Sequence, residues 1–341
     1  MKKNFLISTG GSGGHVVPAT ILYEHLSITA NVIISIDKRG LKYLDKDIYQ
    51  FEIINTPKFN NIFFLPINLL ITLFLTIKSI YLLKNKKIEK IFSTGGYMSL
   101  PLILAARLIN LEIYLVEPNQ VLGRANRYFL NLCKKIFCYR KKIKNFPDNF
   151  KNKIVNINPL VKKYIYKLRT SSKKKNKFTL LIVGGSQGAN IFDKNLKNFI
   201  LNISKKNMIK VIQQSNNENI NYLSNFYSIN NIENKIFSFD KNFVNSIEES
   251  DLCITRAGAS TLAELSASNI PFVAVPLPTA KDNHQYENAR FYRDNDCCWL
   301  IEQNYFDEKI EQLLKDILNN RSDYLKKKRK FKKIKLPKHL D

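Results

Sequence analysis

Two glycine-rich segments stand where anion chemistry is easiest to build. Gly10-Gly11-Ser12-Gly13-Gly14-His15 leads into Val16-Val17-Pro18-Ala19, and Gly184-Gly185-Ser186-Gln187-Gly188 comes later in the chain. Glycines let main-chain N–H groups close on an anion, and a helix that starts directly afterwards adds its dipole, so phosphate or diphosphate is the natural ligand. A dinucleotide fingerprint GxGxxG beginning at Gly11 fails at its third glycine, where Val16 stands. Asp37 nevertheless lies about where a dehydrogenase places its ribose-binding acid, which keeps a nicotinamide-dependent oxidoreductase as an alternative. A tight turn explains either loop alone. Two such loops, each opening its own α/β half, suggest a ligand held in a cleft between the halves.

Arg256-Ala257-Gly258-Ala259-Ser260-Thr261-Leu262-Ala263-Glu264 admits two readings. Thr261 and Glu264 have the spacing of a capping box. Equally, Glu264 is a carboxylate for a ribose diol beside a helix start that faces phosphate. The run Asp282-Asn283-His284-Gln285-Tyr286-Glu287-Asn288-Ala289 suits sugar hydroxyls or a solvated helix face. Asp45-Lys46-Asp47 and Asp294-Asn295-Asp296 have the form of metal-binding triplets, but neither follows a strand in the α/β pattern, and no metal is expected.

Alternating strands and helices must position these residues, which favours doubly wound α/β domains with parallel sheets. Strands are expected at 5–8, 32–36, 91–93 and 113–116 in the first half, and at 178–183, 209–213, 252–255 and 272–275 in the second. The polar, lysine-rich stretch 162–177 reads as the link, giving domains 1–160 and 161–341. The chain's 341 residues suit two domains better than one. The basic run 326–335 is expected to be a frayed or surface-lying tail, with a tail packed back on the first domain as the variant.

Fifty-four Lys and Arg against 28 Asp and Glu give a net charge of +26, a field that draws polyanions such as nucleic acid, anionic lipid or phosphorylated substrates. Charge alone therefore keeps a basic nucleic-acid-binding protein in view, although no reading motif or aromatic stacking pattern accompanies it. The five cysteines, Cys133, Cys138, Cys253, Cys297 and Cys298, form no CxxC pair, which argues against a disulfide framework and for a reducing compartment. Met1-Lys2-Lys3 is followed by too short an apolar stretch for a signal peptide, so the first strand is expected there.

Residues 62–77 carry no charge, and Lys78, Lys84, Lys86, Lys87 and Lys90 follow. A spanning helix needs about 20 apolar residues, and this run holds Pro66 and Asn68 and meets Lys78 first. A buried core helix leaves the lysines unexplained. An amphipathic element in a membrane interface, its lysines against anionic headgroups, accounts for both.

Taken in order, GGSGGHVVPA at 10–19, STGGYMSLP at 93–101, EPN at 117–119 with GRANR at 123–127, GGSQGA at 184–189, RAGASTLAEL at 256–265 and DNHQYENA at 282–289 closely resemble the MurG family. These are the undecaprenyl-diphospho-muramoylpentapeptide β-N-acetylglucosaminyltransferases of peptidoglycan synthesis. The resemblance implies the GT-B fold, two Rossmann-like domains facing a cleft, without a cofactor. It implies inverting transfer of N-acetylglucosamine from UDP-N-acetylglucosamine to the 4-hydroxyl of the muramoyl sugar of undecaprenyl-linked lipid I, forming lipid II. Nucleic acid is then not an expected partner. The implied location is peripheral, on the cytoplasmic face of the bacterial inner membrane, with the surface from Ile62 to Lys90 against anionic lipid.

Carried over by motif, the donor site comprises Ser186 at the diphosphate, the backbone near Asp240 at the uracil, Ala259, Ser260, Thr261, Leu262 and Ala263 at the nucleotide, and Glu264 at the ribose. Gln285, with His284 beside it, and Asn119 meet the sugar hydroxyls, and Ser12, Gly13 and Gly14 approach from the N-terminal side. Inversion requires a base. Of the four histidines only His15 sits in a phosphate-facing loop, which makes it the leading candidate, with Glu117 as rival. The family usually has His-Glu-Gln-Asn where this chain has Val116-Glu117-Pro118-Asn119. It also has Gly-Asn-Pro-Val-Arg where Ile157-Asn158-Pro159-Leu160-Val161 stand, so Lys162 or Lys163 is the available substitute cation. Activity is expected to survive EDTA.

Overall fold

The structure is a computed structural model that describes residues 2–58, 61–167, 176–185, 190–238 and 243–331. The chain divides between Lys163 and Tyr164 into two compact units.

The first unit holds a seven-stranded parallel sheet in the order β3-β2-β1-β4-β5-β6-β7. Its strands are β1 (Lys3–Ser8), β2 (Ala30–Ile36), β3 (Phe51–Ile53), β4 (Lys90–Ser93), β5 (Glu112–Glu117), β6 (Lys135–Cys138) and β7 (Ile154–Asn156). Four α-helices accompany them: α1 (Gly13–Leu26), α2 (Leu65–Asn85), α3 (Leu100–Leu108) and α4 (Arg124–Phe129). The second unit holds a six-stranded parallel sheet in the order β10-β9-β8-β11-β12-β13. It comprises β8 (Phe178–Val183), β9 (Ile209–Gln214), β10 (Glu233–Phe237), β11 (Leu252–Thr255), β12 (Phe272–Ala274) and β13 (Cys298–Leu300). Around it lie α5 (Lys197–Ser204), α6 (Ile220–Ile229), α7 (Phe243–Glu248), α8 (Ala259–Ala267), α9 (His284–Asp294), α10 (Phe306–Asn319) and α11 (Arg321–Phe331).

Both faces of each sheet are covered, which is why the central strands read as unbroken apolar runs. Leu6 packs into the cluster with Leu102, Ile103 and Ile136, while its neighbour Ile7 packs on the opposite face with Val16, Ile21 and Ile34. Leu180 and Leu181 divide the two cores of the second unit in the same way. A fully buried side chain of this size contributes about 1.5–3 kcal/mol of transfer free energy.

In each sheet the strand order reverses once, between β1 and β4 and between β8 and β11. Loops at the C-terminal ends of those strands flank a crevice, the usual ligand position in open α/β sheets. The chain places Gly10–His15 and Thr94–Met98 at the first reversal, and Gly184–Gly185 and Arg256–Gly258 at the second.

Two expectations are corrected here. The basic run 326–335 is not a frayed tail through Phe331: α11 packs on the second unit, with Phe331 stacked on Phe272 at 5.8 Å and Lys327 buried. Lys327 bonds Asp296 at 2.7 Å and lies 5.1 Å from the Trp299 ring centre. The capping box at Thr261 and Glu264 does not form, because the N-cap of α8 is Gly258 and Thr261 is already the third helical residue.

Candidate active site

Gly10 and Gly11 turn the chain out of β1 at φ values of 149° and 77°. A Cβ on Gly10 would stand 2.4 Å from Asp37 Oδ1, so only glycine fits. Asp37 is buried at the end of β2 and braces the turn. Its Oδ1 accepts from Gly11 N at 2.7 Å and Gly40 N at 3.0 Å, and Oδ2 accepts from Arg39 Nε at 2.7 Å. This overturns the dehydrogenase reading of Asp37: the carboxylate is bound from both sides and holds the glycine loop.

Ser12 precedes α1 in extended backbone, with its side chain making no capping bond. The first-turn N–H groups of Gly13 and Gly14 likewise have no hydrogen-bond partner among the described residues. A helix start with open donors is an anion site. His15 follows on the same turn. Its ring Nδ1 lies 2.8 Å from Thr94 O, and since a carbonyl only accepts, Nδ1 carries a proton, so that in the neutral ring Nε2 is the nitrogen with the lone pair. The Thr94 hydroxyl donates back to His15 O at 3.0 Å. Thus β4 fixes the tautomer and the orientation of a half-buried imidazole.

Glu117, the rival base, is used differently. It ends β5 almost wholly buried and accepts from Asn119 N at 3.2 Å, Asn119 Nδ2 at 3.0 Å, Gly123 N at 2.8 Å and Asn126 Nδ2 at 3.0 Å. Four donors make it the anchor of the 118–126 loop. Asn119 therefore has its amide committed within this unit. Asn126, from the GRANR motif, was not singled out from sequence. Its Oδ1 is buried with no partner and stands 3.3 Å from where a Cβ on Gly95 would be, close to the His15 ring.

In the second unit, α8 begins at Gly258, and the N–H groups of Ala259, Ser260 and Thr261 have no hydrogen-bond partner among the described residues. Leu262 and Ala263 are buried, so they offer a ligand main chain only, and Glu264 is buried on the same helix. Gln285 Oε1 accepts from Ala257 N at 3.2 Å and Leu277 N at 3.0 Å, which pins both loops and leaves its NH2 group as donor. His284 Nδ1 bonds Lys281 O at 2.8 Å, after Asp282 and Asn283 both take φ of 54°.

Arg256, quoted in a motif but given no role, is a buried cation held by neutral groups. Its guanidinium bonds Val275 O at 3.2 Å, Pro276 O at 3.3 Å and Gln303 Oε1 at 2.6 Å, all neutral acceptors. Burial pushes its pKa down to about 10. Asp193, also missed, is a buried carboxylate in a π-helical turn behind the Gly184 loop. It accepts from Gln213, Ser215 and Asn219 at 2.8, 2.8 and 2.9 Å.

Ser186 and Asp240 lie outside the described residues. Val161, at the missing arginine, is fully buried and its carbonyl bonds His25 Nε2 at 2.9 Å, with Lys162 half-buried beside it. The aspartate triplets are occupied locally: Asp45 bonds Asp47 N at 3.3 Å, Asp294 pairs with Arg293 at 2.7 Å, and Asp296 pairs with Lys326 and Lys327.

Residues 5–138 match the model of the glycosyltransferase family 28 N-terminal domain, and residues 179–341 match that of the family 28 C-terminal domain. A UDP-N-acetylglucosamine--N-acetylmuramyl-(pentapeptide) pyrophosphoryl-undecaprenol N-acetylglucosamine transferase of Pelagibacter ubique (strain HTCC1062) is 48% identical over 334 residues, covering 97% of this chain and 94% of that protein. The chain belongs to glycosyltransferase family 28. A family 28 relative with the same name from Rickettsia canadensis (strain McKiel) is 37% identical over 329 residues, covering 94% of this chain and 92% of its own length. Among solved structures, MurG of Acinetobacter baumannii superposes with a TM-score of 0.73 at 23% identity, covering 98% of this chain and 95% of that one. At that identity the likeness speaks for the fold, and the two parallel-sheet α/β units have the GT-B architecture expected for family 28.

Proposed function

We propose that this family 28 glycosyltransferase transfers N-acetylglucosamine from UDP-N-acetylglucosamine to the 4-hydroxyl of the muramoyl sugar in an undecaprenyl-diphosphate acceptor bearing a pentapeptide. The observation that carries the mechanism is the His15–Thr94 bond, which leaves Nε2 as the proton acceptor. As Nε2 takes the hydroxyl proton, the oxygen attacks the anomeric carbon from the face opposite UDP. The bond from that carbon to the diphosphate oxygen breaks, and UDP leaves with inversion. The open N–H groups at Ala259, Ser260 and Thr261 suit the charge that develops on the leaving diphosphate. Glu264 takes the ribose and the Gln285 amide the donor sugar. Ser186, Asp240, His284 and Lys162 complete the proposed donor set.

The acceptor is lipid-linked, and α2 supports a membrane-facing reading. Segment Ile62–Asn85 is long and apolar enough to cross a membrane by length and composition, but its amphipathicity is reversed. The face packed inward is Asn68, Thr72, Thr76, Ser79 and Leu83, with Thr72 and Thr76 hydroxyls bonded to carbonyls four residues back. Phe63, Phe64, Ile67, Leu70, Leu73, Phe74 and Ile77 face outward, more than half exposed. A surface of this kind marks a membrane or partner contact. Basic residues follow it, though not all are available: Lys86 pairs with Glu52 at 3.4 Å and Lys90 with Glu112 at 3.5 Å. Lys78, Lys84 and Lys87 make no ion pair among the described residues, and Lys87 holds φ of 49° just past the helix, where glycine is usual. These features support peripheral attachment to anionic lipid at the cytoplasmic face of the inner membrane.

Calorimetric titration separates this reading from a dinucleotide enzyme. UDP should bind with a dissociation constant below that of NADH, and Glu264→Ala should weaken UDP alone. NADH binding in preference to UDP would refute the donor assignment.

A further inference from the structure

The strand order of the second sheet places β9 between β10 and β8. A side chain at the C-terminal end of β9 therefore stands between the segment that leaves β8 and the segment that leaves β10. Gln214 is the last residue of β9, and its amide joins the two. Its Oε1 accepts from Gly185 N at 3.2 Å, and its Nε2 donates to Ser238 O at 3.1 Å. The proposed donor roles leave this residue unused.

Both ends of the tie matter locally. Gly185 takes φ of 74°, in the left-handed region, and a Cβ built there would meet nothing within 4 Å. Backbone conformation, not crowding, therefore calls for glycine, and the bond from Gln214 orients a peptide that has no packed neighbour on that side. The amide offers one oxygen and one NH2 group, and each serves a different segment, so the two bonds specify a single orientation of the side chain. Behind it the strand end is anchored. Side chains alternate along a strand, so Gln213 points to the face opposite Gln214. Gln213 and Ser215 are buried and donate to the two oxygens of Asp193 at 2.8 Å each, and the Tyr227 hydroxyl donates to Gln213 Oε1 at 3.1 Å.

Gly185 directly precedes Ser186, assigned above to the diphosphate, and Ser238 stands two residues before Asp240, assigned to the uracil. We propose that Gln214 is a positioning residue for the donor nucleotide, holding the diphosphate segment and the base segment in register so that one UDP satisfies both. The proposal rests on the transferase reading, which places UDP in the second unit. Its consequence is selectivity, because a nucleotide with a different base uses the diphosphate segment alone and gains nothing from the register.

Calorimetric titration of UDP and of ADP into wild type, Gln214→Met and Gln213→Leu tests it. Methionine keeps the length of the side chain and removes the amide. Wild type should bind UDP more tightly than ADP. In Gln214→Met, UDP should weaken about 10-fold and ADP less than about threefold, so that the preference for UDP falls. In the transfer assay the same variant should raise the donor KM by a similar factor and leave the acceptor KM unchanged. Gln213→Leu, which breaks the Asp193 network, should lower the melting temperature and keep the wild-type preference. Equal weakening of UDP and ADP in Gln214→Met would confine Gln214 to the diphosphate segment and overturn the proposal, as would an unchanged UDP affinity. The same loss of preference in Gln213→Leu would reduce both residues to general braces of the sheet. A wild type that binds UDP and ADP alike would remove the donor reading and the proposal together, whereas a selective wild type with an indifferent Gln214→Met removes the proposal alone.

Discussion

The Nδ1–H of His15 and the main-chain oxygen of Thr94 are 2.8 Å apart, and the Thr94 hydroxyl returns a bond to the His15 carbonyl at 3.0 Å. This reciprocal pair joins the helix after β1 to the end of β4 and sets which nitrogen of the ring accepts a proton. His15→Ala should lower kcat about 100- to 10,000-fold while UDP affinity stays within a few fold. Calorimetry alongside the rate measurement checks it. Full activity in the variant would exclude His15 as the base.

Glu117 makes the complementary case. Because four N–H groups converge on its buried carboxylate, Glu117→Gln should turn an NH2 group against a donor and cost about 2 kcal/mol of unfolding free energy, read by denaturant melts. A variant of unchanged stability whose kcat collapses would instead reinstate Glu117 as the base.

For α2 the expected effect is on location and not on folding. Leu73 is 59% exposed, so Leu73→Glu should leave thermal stability nearly unchanged and release the protein from vesicles. Lys84→Ala with Lys87→Ala should weaken sedimentation with anionic vesicles and leave neutral ones unaffected. Sedimentation that ignores both changes would refute the membrane reading.

Asp296 provides a pH signature for the packed C-terminal helix. Bonds from Lys326 and then Lys327 hold its carboxyl at about 2, below the ordinary 3.8. A depressed carboxyl stabilises the fold above its unfolded value and loses that contribution as pH falls through the folded one. Asp296→Asn should therefore cost about 1 kcal/mol at pH 7, the pair being partly open to solvent, and the gap from wild type should close between about pH 4 and 2. A constant gap across that window would show that the pairing adds nothing.

The first glycine loop and the central strands were legible because their constraints are local. Gly10 answers a backbone need, and β1, β2, β8 and β11 are apolar runs buried on both faces. Strands β3, β6, β7, β10 and β13 were missed: they lie at a sheet edge or, for β6, next to one, where segments such as Phe51–Ile53 and Glu233–Phe237 are short or keep polar residues and half-exposed positions. Lysine-rich α11 was misread because its core contacts are few, chiefly Tyr324, Lys327 and Phe331. His15 and Gln285 were singled out from their motifs, and the structure places them at the start of α1 and in α9. The position of Asp37 after β2 kept a ribose-binding alternative open, while its partners, Gly11, Arg39 and Gly40, emerge only from packing. Arg256 and Asn126 stood inside quoted motifs without a role, since nothing in their spacing reveals that they are buried.

The most direct test is transfer of radiolabelled N-acetylglucosamine from its UDP donor to the lipid-linked muramoyl pentapeptide, with and without EDTA. Wild type should form a single β-linked disaccharide lipid at a rate indifferent to the chelator, and Glu264→Ala should lose most of that rate through a raised donor KM. No labelled lipid from wild type, or an α-linked product, would contradict the assignment, as would full loss in EDTA with rescue by manganese.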